Sequence, residues 1–210
     1  MRINELFFSL QGEGTESGLP TIFIRTAGCN LRCRWCDTPY ARRGGLAMKP
    51  RDVLDAVSTF PCRRICLTGG EPLHQVESLD LLCLLKAGRF HVTLETNGSF
   101  DIAPALHLAR ISMDVKCPSS GMTPHMHWPN LSLLRKSDQL KFVIADRGDY
   151  EFAREVVRRH RLHSSAQVIF QPLGGRHGRR LARWILADAL DVRLGLQLHK
   201  IIWGKDVRGR

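Results

Sequence analysis

The sequence has 210 residues, of which 43% are hydrophobic and 24% are charged, an ordinary globular composition that predicts a single domain over residues 1–210. No apolar run reaches the roughly 18 residues that span a bilayer, and the N-terminus lacks a signal-peptide pattern. Seven cysteines, an odd number, argue against a closed disulfide framework, so we expect a cytoplasmic protein with no membrane partner. The net charge of +11 is interpreted as a solvated basic surface, since no aromatic residues alternate with basic ones as in a nucleic-acid platform.

In chain order, short apolar runs alternate with longer helical patterns. The predicted strands are 21–26, 64–68, 91–95, 111–115, 139–145, 167–171 and 192–198. The predicted helices are about 50–60, 75–88, 101–109, 149–162 and 178–190, and the Pro-rich segment 117–137 is expected to be irregular. Near-continuous apolar strands favour parallel pairing with both faces covered. The alternation therefore predicts an α/β fold with a largely parallel sheet, either an incomplete barrel or an open doubly wound sheet.

Polar residues follow the predicted strands instead of being scattered. The strand at 64–68 runs into Gly-Gly-Glu-Pro at 69–72, and the strand at 91–95 runs into Thr-Asn-Gly at 96–98. In parallel α/β sheets, ligands bind at the carboxyl ends of the strands. Turn residues alone would explain the glycines but not Glu71 and Glu95, so the pattern predicts a binding site at this edge.

Three cysteines follow the first predicted strand with the spacing C-x3-C-x2-C: Cys29, Cys33 and Cys36. Neighbouring arginines are expected to lower the thiol pKa values and favour thiolates, the ligand form: Arg25, Arg32 and Arg34. One alternative is that the three cysteines are buried free thiols without a ligand role. Another is a zinc site completed by a further His or Cys, although no second pair of ligands follows at the spacing of a zinc finger. Cys62, Cys66 and Cys83 are interpreted as structural, and Cys117 is left unassigned.

The cysteine motif resembles the signature of radical S-adenosylmethionine (SAM) enzymes. In that family three thiolates hold a 4Fe-4S cluster and SAM occupies the open iron. The stretch Gly-Gly-Glu-Pro at 69–72 resembles the family's motif for the SAM amino group, with glycine permitting close backbone approach and Glu71 able to accept from an ammonium. The resemblance implies an incomplete radical-SAM α/β barrel.

The resemblance narrows to the 7-carboxy-7-deazaguanine synthase family, whose motifs occur in order along nearly the whole chain. They are FSLQGEG at 8–14, FIRTAGCNLRCRWCDT at 23–38, TGGEPLHQ at 68–75, LETNG at 94–98, DVKCP at 114–118, LKFV at 140–143, QPLGG at 171–175 and LQLHKIIWG at 196–204.

The resemblance implies a role for each matching residue. Cluster ligands would be Cys29, Cys33 and Cys36, and Thr38 would bind Mg²⁺ through its hydroxyl oxygen. SAM would contact Trp35, Asp37, Gly70, Glu71, Ser112, Gln171, Pro172, Leu173 and Gly174. The pterin substrate would contact Leu10, Gln11, Gly12, Glu13, Arg25, Thr68 and His199. The alternatives are a surface charge for Arg25, a packed histidine for His199 and an ordinary loop carboxylate for Glu13.

The implied reaction is the ring contraction of 6-carboxy-5,6,7,8-tetrahydropterin to 7-carboxy-7-deazaguanine with loss of ammonia, a lyase reaction that leads towards queuosine. The resemblance also implies a homodimer and an electron donor such as flavodoxin or ferredoxin. Two other functions use the same cysteines: a glycyl-radical-enzyme activase, and a zinc-dependent RNA-binding module. The stretches SLQGEG at 9–14 and CDT at 36–38 favour the small-molecule enzyme over the activase.

Overall fold

Nine strands of the described chain form one sheet in the order β3-β1-β2-β4-β5-β6-β7-β8-β9. The computed structural model describes residues 1–175, 178–204 and 207–209. The strands are β1 (Arg2–Leu10), β2 (Pro20–Thr26), β3 (Leu46–Ala47), β4 (Arg64–Gly69), β5 (His91–Thr96), β6 (Arg110–Val115), β7 (Gln139–Ile144), β8 (Gln167–Pro172) and β9 (Arg193–Leu194). From β2 through β4 to β9 all pairs are parallel, whereas β1 pairs antiparallel with β2 and β3. The predicted α/β fold with a largely parallel sheet is confirmed.

Helices connect the parallel strands. They are α1 (Pro50–Ser58), α2 (Glu77–Ala87), α3 (Arg147–Arg159), α4 (Gly178–Ala187) and α5 (Leu198–Ile202). The start of α1 has Pro50 in the first turn, and the Asp52 carboxylate accepts from the Lys49 backbone N–H at 3.0 Å. The start of α3 is capped by Asp146, which accepts from the Asp149 N–H at 2.9 Å. No described helix is long and apolar enough to cross a bilayer.

The two faces of the sheet differ in character. Side chains of alternate strand residues, such as Leu67, Leu94 and Phe142, are fully buried in an apolar core shared with the helices. The intervening residues face the other side and are mostly polar there. The expectation that both faces of the strands are covered is therefore met on the outer face only, because the inner face lines a polar cavity.

The sheet curls around this inner face. Glu13, just beyond β1, touches Lys141 of β7 at 2.6 Å. The two strands are five steps apart in the sheet, which would separate them by roughly 24 Å if the sheet were flat. The described sheet is not closed, since β3 and β9 are its edges. This is the incomplete barrel that the sequence predicts.

Two predicted elements are wrong. A helix over 101–109 is replaced by a 3₁₀ turn, Ala103–Ala105, and further turns. Polar side chains take the backbone groups that a helix would use: Asn130 accepts from the Ile102 N–H at 3.2 Å, and Arg135 donates to the carbonyls of Leu106 and Ala109.

The predicted strand at 192–198 is reduced to the two residues of β9. A side chain at Gly195 would lie 2.7 Å from the Ile169 side chain, and beyond it the chain leaves the sheet. Leu198 begins α5, and its N–H donates to the Gly12 carbonyl at 2.8 Å. The chain thus turns towards the loop that follows β1.

Candidate functional site

A cavity of about 310 Å³ lies at the carboxyl ends of the parallel strands. Its wall combines the segment after β1, the cysteine loop after β2, the ends of five further strands and the start of α5. This arrangement confirms that the polar residues at the strand ends meet at one place.

Cys29, Cys33 and Cys36 all line this cavity from the loop that follows β2. The Cys29 sulfur accepts from the Leu31 N–H at 3.4 Å and faces the Asn97 amide at 3.8 Å. Burial raises the pKa of the Cys33 thiol, and the Lys116 ammonium opposes that rise. For Cys33, the expectation that neighbouring arginines lower the pKa is therefore wrong, because desolvation outweighs the charge and the nearby cation is Lys116.

Gly70 brings the loop after β4 against the cysteine loop. A Cβ atom at Gly70 would lie 2.1 Å from the Gly28 carbonyl oxygen and 3.1 Å from the Cys29 Cβ. The Glu71 N–H donates to that same carbonyl at 2.8 Å. Only glycine permits this approach, which leaves backbone groups of the loop facing the cavity beside the cysteines.

The Glu71 carboxylate is turned away from the cavity. It is fully buried and accepts from the Leu73 N–H at 3.0 Å, the Thr96 hydroxyl at 2.8 Å and the Asn97 N–H at 2.6 Å. Burial raises its pKa to about 7, although these donors act in the opposite direction. Glu71 thus links the loop after β4 to the loop after β5, and its contact with SAM stays a prediction.

The segment after β1 meets α5 at Gly12. A side chain at Gly12 would lie 2.0 Å from His199 Nδ1, so this glycine is required for His199 to reach the cavity. Burial lowers the pKa of His199, with the charge of Glu13 acting in the opposite direction. The Gln11 amide donates to the Glu95 carboxylate at 3.4 Å, and both side chains line the cavity.

Arg25 at the end of β2 lines the cavity and is largely buried. Its Nε donates to Glu5 at 2.7 Å, and the Tyr40 hydroxyl donates to the same Glu5 oxygen at 2.9 Å. Among the described residues, no hydrogen bond occupies the Nη groups of Arg25. These donors suit a carboxylate ligand.

The residues before and within α5 hold the cysteine loop. Gln197 donates to Glu13 at 2.7 Å and reaches Asp37 at 3.4 Å. Lys200 donates to Asp37 at 3.1 Å and to the side-chain oxygen Oε1 of Gln197 at 2.8 Å. The segment therefore connects the loop after β1 with the loop that carries the cysteines. The basic tail after Trp203 lies partly outside the described residues, as does the basic group 176–180.

Most of the residues that the sequence singles out line this one cavity. Besides the cysteines they are Leu10, Gln11, Gly12, Glu13, Arg25, Trp35, Asp37, Thr38, Thr68, Gly70, Gln171, Leu173, Gly174 and His199. Three lie outside its wall: Glu71, Ser112 and Pro172. Ser112 lies two residues before the lining residue Asp114 on the same face of β6, and Pro172 lies between the lining residues Gln171 and Leu173.

The site also contains polar residues that the predicted set of site residues omits: Arg42, Glu95, Asn97, Asp114, Lys116, Lys141, Gln197 and Lys200. Several of them sit in quoted motifs at strand ends. Lys141 lies within the largely apolar sequence of β7. The alternation along this strand places it on the same face as Gln139 and Val143, opposite the buried Leu140 and Phe142.

The residues present fit an iron–sulfur cluster. Three thiols are soft ligands, and backbone and amide N–H groups face the Cys29 sulfur, as is usual for cluster thiolates. Within the described chain, no three His, Cys, Asp or Glu side chains converge on a single ion-sized point. In a 4Fe-4S cluster each thiolate binds a different iron, so the three cysteine sulfurs need not converge on one ion.

The other four cysteines lie outside the cavity wall. Cys66 and Cys117 are buried and Cys62 is half-buried, in keeping with structural thiols. Cys83 on α2 is exposed, so its assignment as structural is wrong. The helix turns that position towards solvent while Leu81, Leu82 and Leu85 face the core.

Comparisons with known proteins identify the family of the chain. The Radical SAM superfamily profile matches residues 23–157. The 7-carboxy-7-deazaguanine synthase of Koribacter versatilis is 41% identical, with both chains fully covered. The synthase of Methanospirillum hungatei is 44% identical over 96% of this chain and 85% of its own, and that of Thermoplasma acidophilum is 41% identical with full coverage of both.

Two solved structures share the fold. QueE from Escherichia coli superposes with a TM-score of 0.77 at 24% identity, covering 94% of each chain. Streptococcus suis SuiB bound to S-adenosylmethionine gives 0.56 at 13% identity, over 82% of this chain and 45% of SuiB. The sequence relatives support the synthase interpretation over the activase and the zinc module. The chain belongs to the radical SAM superfamily and, within it, to the 7-carboxy-7-deazaguanine synthase family.

Proposed function

We propose that this protein converts 6-carboxy-5,6,7,8-tetrahydropterin to 7-carboxy-7-deazaguanine with loss of ammonia. Membership of the radical SAM superfamily implies SAM and a 4Fe-4S cluster. When bound, these groups supply one-electron chemistry at a ring carbon of the substrate. The observation that carries the proposal is that the cysteines and the predicted pterin residues line the same cavity.

The protein's own contribution is to bind, orient and shield the reactants. Cys29, Cys33 and Cys36 hold the cluster, and the Gly70 backbone and Trp35 border the SAM side. Arg25 offers its Nη donors to the substrate carboxylate, and Glu13 and His199 line the same cavity. Close placement of two bound molecules replaces a bimolecular encounter and excludes water.

The proposal also covers the domain organisation, location, oligomeric state and electron donor of the enzyme. One domain spans residues 1–210, acts in the cytoplasm as a homodimer, and receives electrons from a flavodoxin or ferredoxin. The exposed apolar side chains near the C-terminus, among them Leu194, Leu196 and Ile201, suit a subunit contact. Its product enters 7-deazapurine biosynthesis, and neither a membrane nor a nucleic acid takes part in the reaction.

Mass spectrometry of the products tests the reaction. Anaerobically reconstituted and reduced protein, given SAM, Mg²⁺ and carboxytetrahydropterin, should form 7-carboxy-7-deazaguanine. Cys33→Ala should abolish the product, and Cys83→Ala, which removes an exposed thiol outside the cavity, should not. SAM cleavage without this product would contradict the substrate assignment, and a protein that takes up no iron would contradict the cluster.

Magnesium is the second part of the proposal and involves Thr38. This residue precedes a 3₁₀ turn, but its side chain makes no capping hydrogen bond and it lines the cavity beside Asp37. Hydroxyl and carboxylate oxygens with retained water suit Mg²⁺. Thr38→Ala should raise the Mg²⁺ concentration for half-maximal turnover roughly tenfold, whereas Thr38→Ser keeps the oxygen and stays close to wild type. An unchanged Mg²⁺ requirement in Thr38→Ala would exclude Thr38 as the ligand.

A further inference from the structure

Four charged side chains form a row of alternating sign through the cavity. The Lys141 Nζ lies 2.6 Å from a Glu13 oxygen and 3.4 Å from an Asp114 oxygen. The other Asp114 oxygen lies 2.6 Å from the Lys116 Nζ. None of the four side chains is more than 19% exposed. The row runs from the proposed pterin side to the cysteine loop, where Lys116 lies 5.9 Å from the Trp35 ring.

The fold fixes the centre of this row more firmly than its ends. Lys141 and Asp114 are register partners on β7 and β6, so both point to the inner face at the same level. Glu13 comes from the irregular segment after β1, where its backbone N–H donates to Gln11 Oε1 at 3.2 Å. Its carboxylate accepts from Lys141 on one oxygen and from Gln197, at 2.7 Å, on the other. The position of the Glu13 carboxylate therefore depends on Lys141.

Charge balance explains why the row tolerates burial. Burial alone would raise the pKa of Glu13, but Lys141, Gln197 and His199 lower it below the usual range. Burial alone would lower the pKa of Lys141, but Asp114 and Glu13 raise it well above the usual range. Two cations and two anions thus compensate one another, and removal of one leaves a buried charge without its partner.

The structure assigns Lys141 as a positioning residue that holds the ionised Glu13 carboxylate in place to accept N–H groups of the pterin. This inference rests on the proposed function. A carboxylate has about four acceptor positions, and two are used in contacts with Lys141 and Gln197, which leaves the others for the substrate. The 2-amino and ring N–H groups of a pterin form a donor edge of the right kind for a fixed carboxylate.

Binding of 6-carboxypterin, a stable oxidised analogue, tests this role without turnover. The reconstituted protein with SAM but without reductant is titrated, and the Kd values of both molecules are measured by calorimetry. Lys141→Met should raise the Kd of 6-carboxypterin roughly 10- to 100-fold and change that of SAM less than about threefold. Lys141→Arg, which keeps the charge, should recover most of the affinity. In turnover, KM for the pterin should rise more than kcat falls.

A double variant separates a positioning role from direct contact. If Lys141 acts through Glu13, Lys141→Met should cost little further affinity in a Glu13→Gln background, where no charge remains to be held. Equal losses in both backgrounds would overturn the inference. The double variant Glu13→Gln/Lys141→Met has no buried carboxylate at position 13 without a cation. It can therefore be compared with Glu13→Gln even if Lys141→Met alone does not fold.

Arg135→Met is the matched control. It removes a cation that lies 2.8 Å from the fully buried Asp138, outside the wall of the cavity. It should lower stability without changing the Kd of 6-carboxypterin. Failure of wild-type protein to bind the analogue or to form product would contradict the proposed function. Wild-type binding with an unchanged Kd in Lys141→Met would contradict only the role of Lys141.

Discussion

At the scale of single residues, opposing contributions decide the ionisation of each buried carboxyl. Glu13 and Glu71 are both removed from water, and in both burial is the largest influence on the pKa. Glu13 has a cation in contact and remains ionised. Glu71 has only neutral donors, and its pKa rises to about 7. A full positive charge in contact therefore outweighs three neutral hydrogen bonds.

This difference predicts a pH dependence of stability for the cofactor-free protein. The pKa of Glu71 is raised above its unfolded value, so its contribution is fully present below the unfolded pKa and is lost as pH rises through about 7. Relative to Glu71→Gln, the free energy of unfolding of wild type should fall between about pH 5 and pH 8, by at most about 3 kcal/mol. Urea unfolding of both proteins at several pH values measures this difference.

Asp138→Asn provides the control with the opposite sign. Burial opposes ionisation of Asp138, but hydrogen bonds from Arg135 and from backbone N–H groups lower its pKa. Its contribution is lost only as pH falls towards that lowered value, so the cost of Asp138→Asn should stay constant over the same range. A difference between wild type and Glu71→Gln that stays constant over the same range would show that Glu71 is ionised throughout and would contradict the raised pKa.

At the scale of secondary-structure elements, the parallel strands were predictable because each one is an apolar run followed by turn residues. The edges were not. β1 carries few fully buried residues and pairs antiparallel, so it has neither the apolar run nor the βαβ context that marked the others. β9 ends before Gly195, where a Cβ atom would lie 2.7 Å from the Ile169 side chain, a constraint between distant residues that no local pattern contains.

The site shows the same division. The cysteine loop, the Gly70 loop and the strand-end residues are local motifs, and the sequence locates them. The orientation of Glu71 depends on the partners Thr96 and Asn97, which approach from the next strand. The contact between Glu13 and Lys141 exists only because the sheet curls. Pairings of this kind are set by tertiary packing and therefore cannot be inferred from spacing along the chain.

At the scale of the whole molecule, positive charge surrounds the cysteines, where an electron would enter according to the proposed function. Residues 30–49 surround the cysteines and contain five Arg or Lys residues against a single Asp. Four of these cations are exposed: Arg32, Arg34, Arg43 and Lys49. The chain as a whole carries +11. A positive surface of this kind increases the association rate of an acidic partner, and salt weakens the effect.

Turnover driven by an acidic flavodoxin or ferredoxin should therefore slow roughly tenfold as NaCl rises from about 0.05 M to about 0.5 M. Reduced methyl viologen is a small cation, and turnover with it should not slow, because salt screens repulsion in that case. Arg43→Glu should reduce the rate with the protein donor at low salt and leave the viologen rate unchanged. Arg158→Glu, a matched change on the exposed face of α3, should affect neither. Equal salt dependence with both reductants would locate the effect in the chemistry or the fold and would exclude electrostatic docking at the cysteine loop.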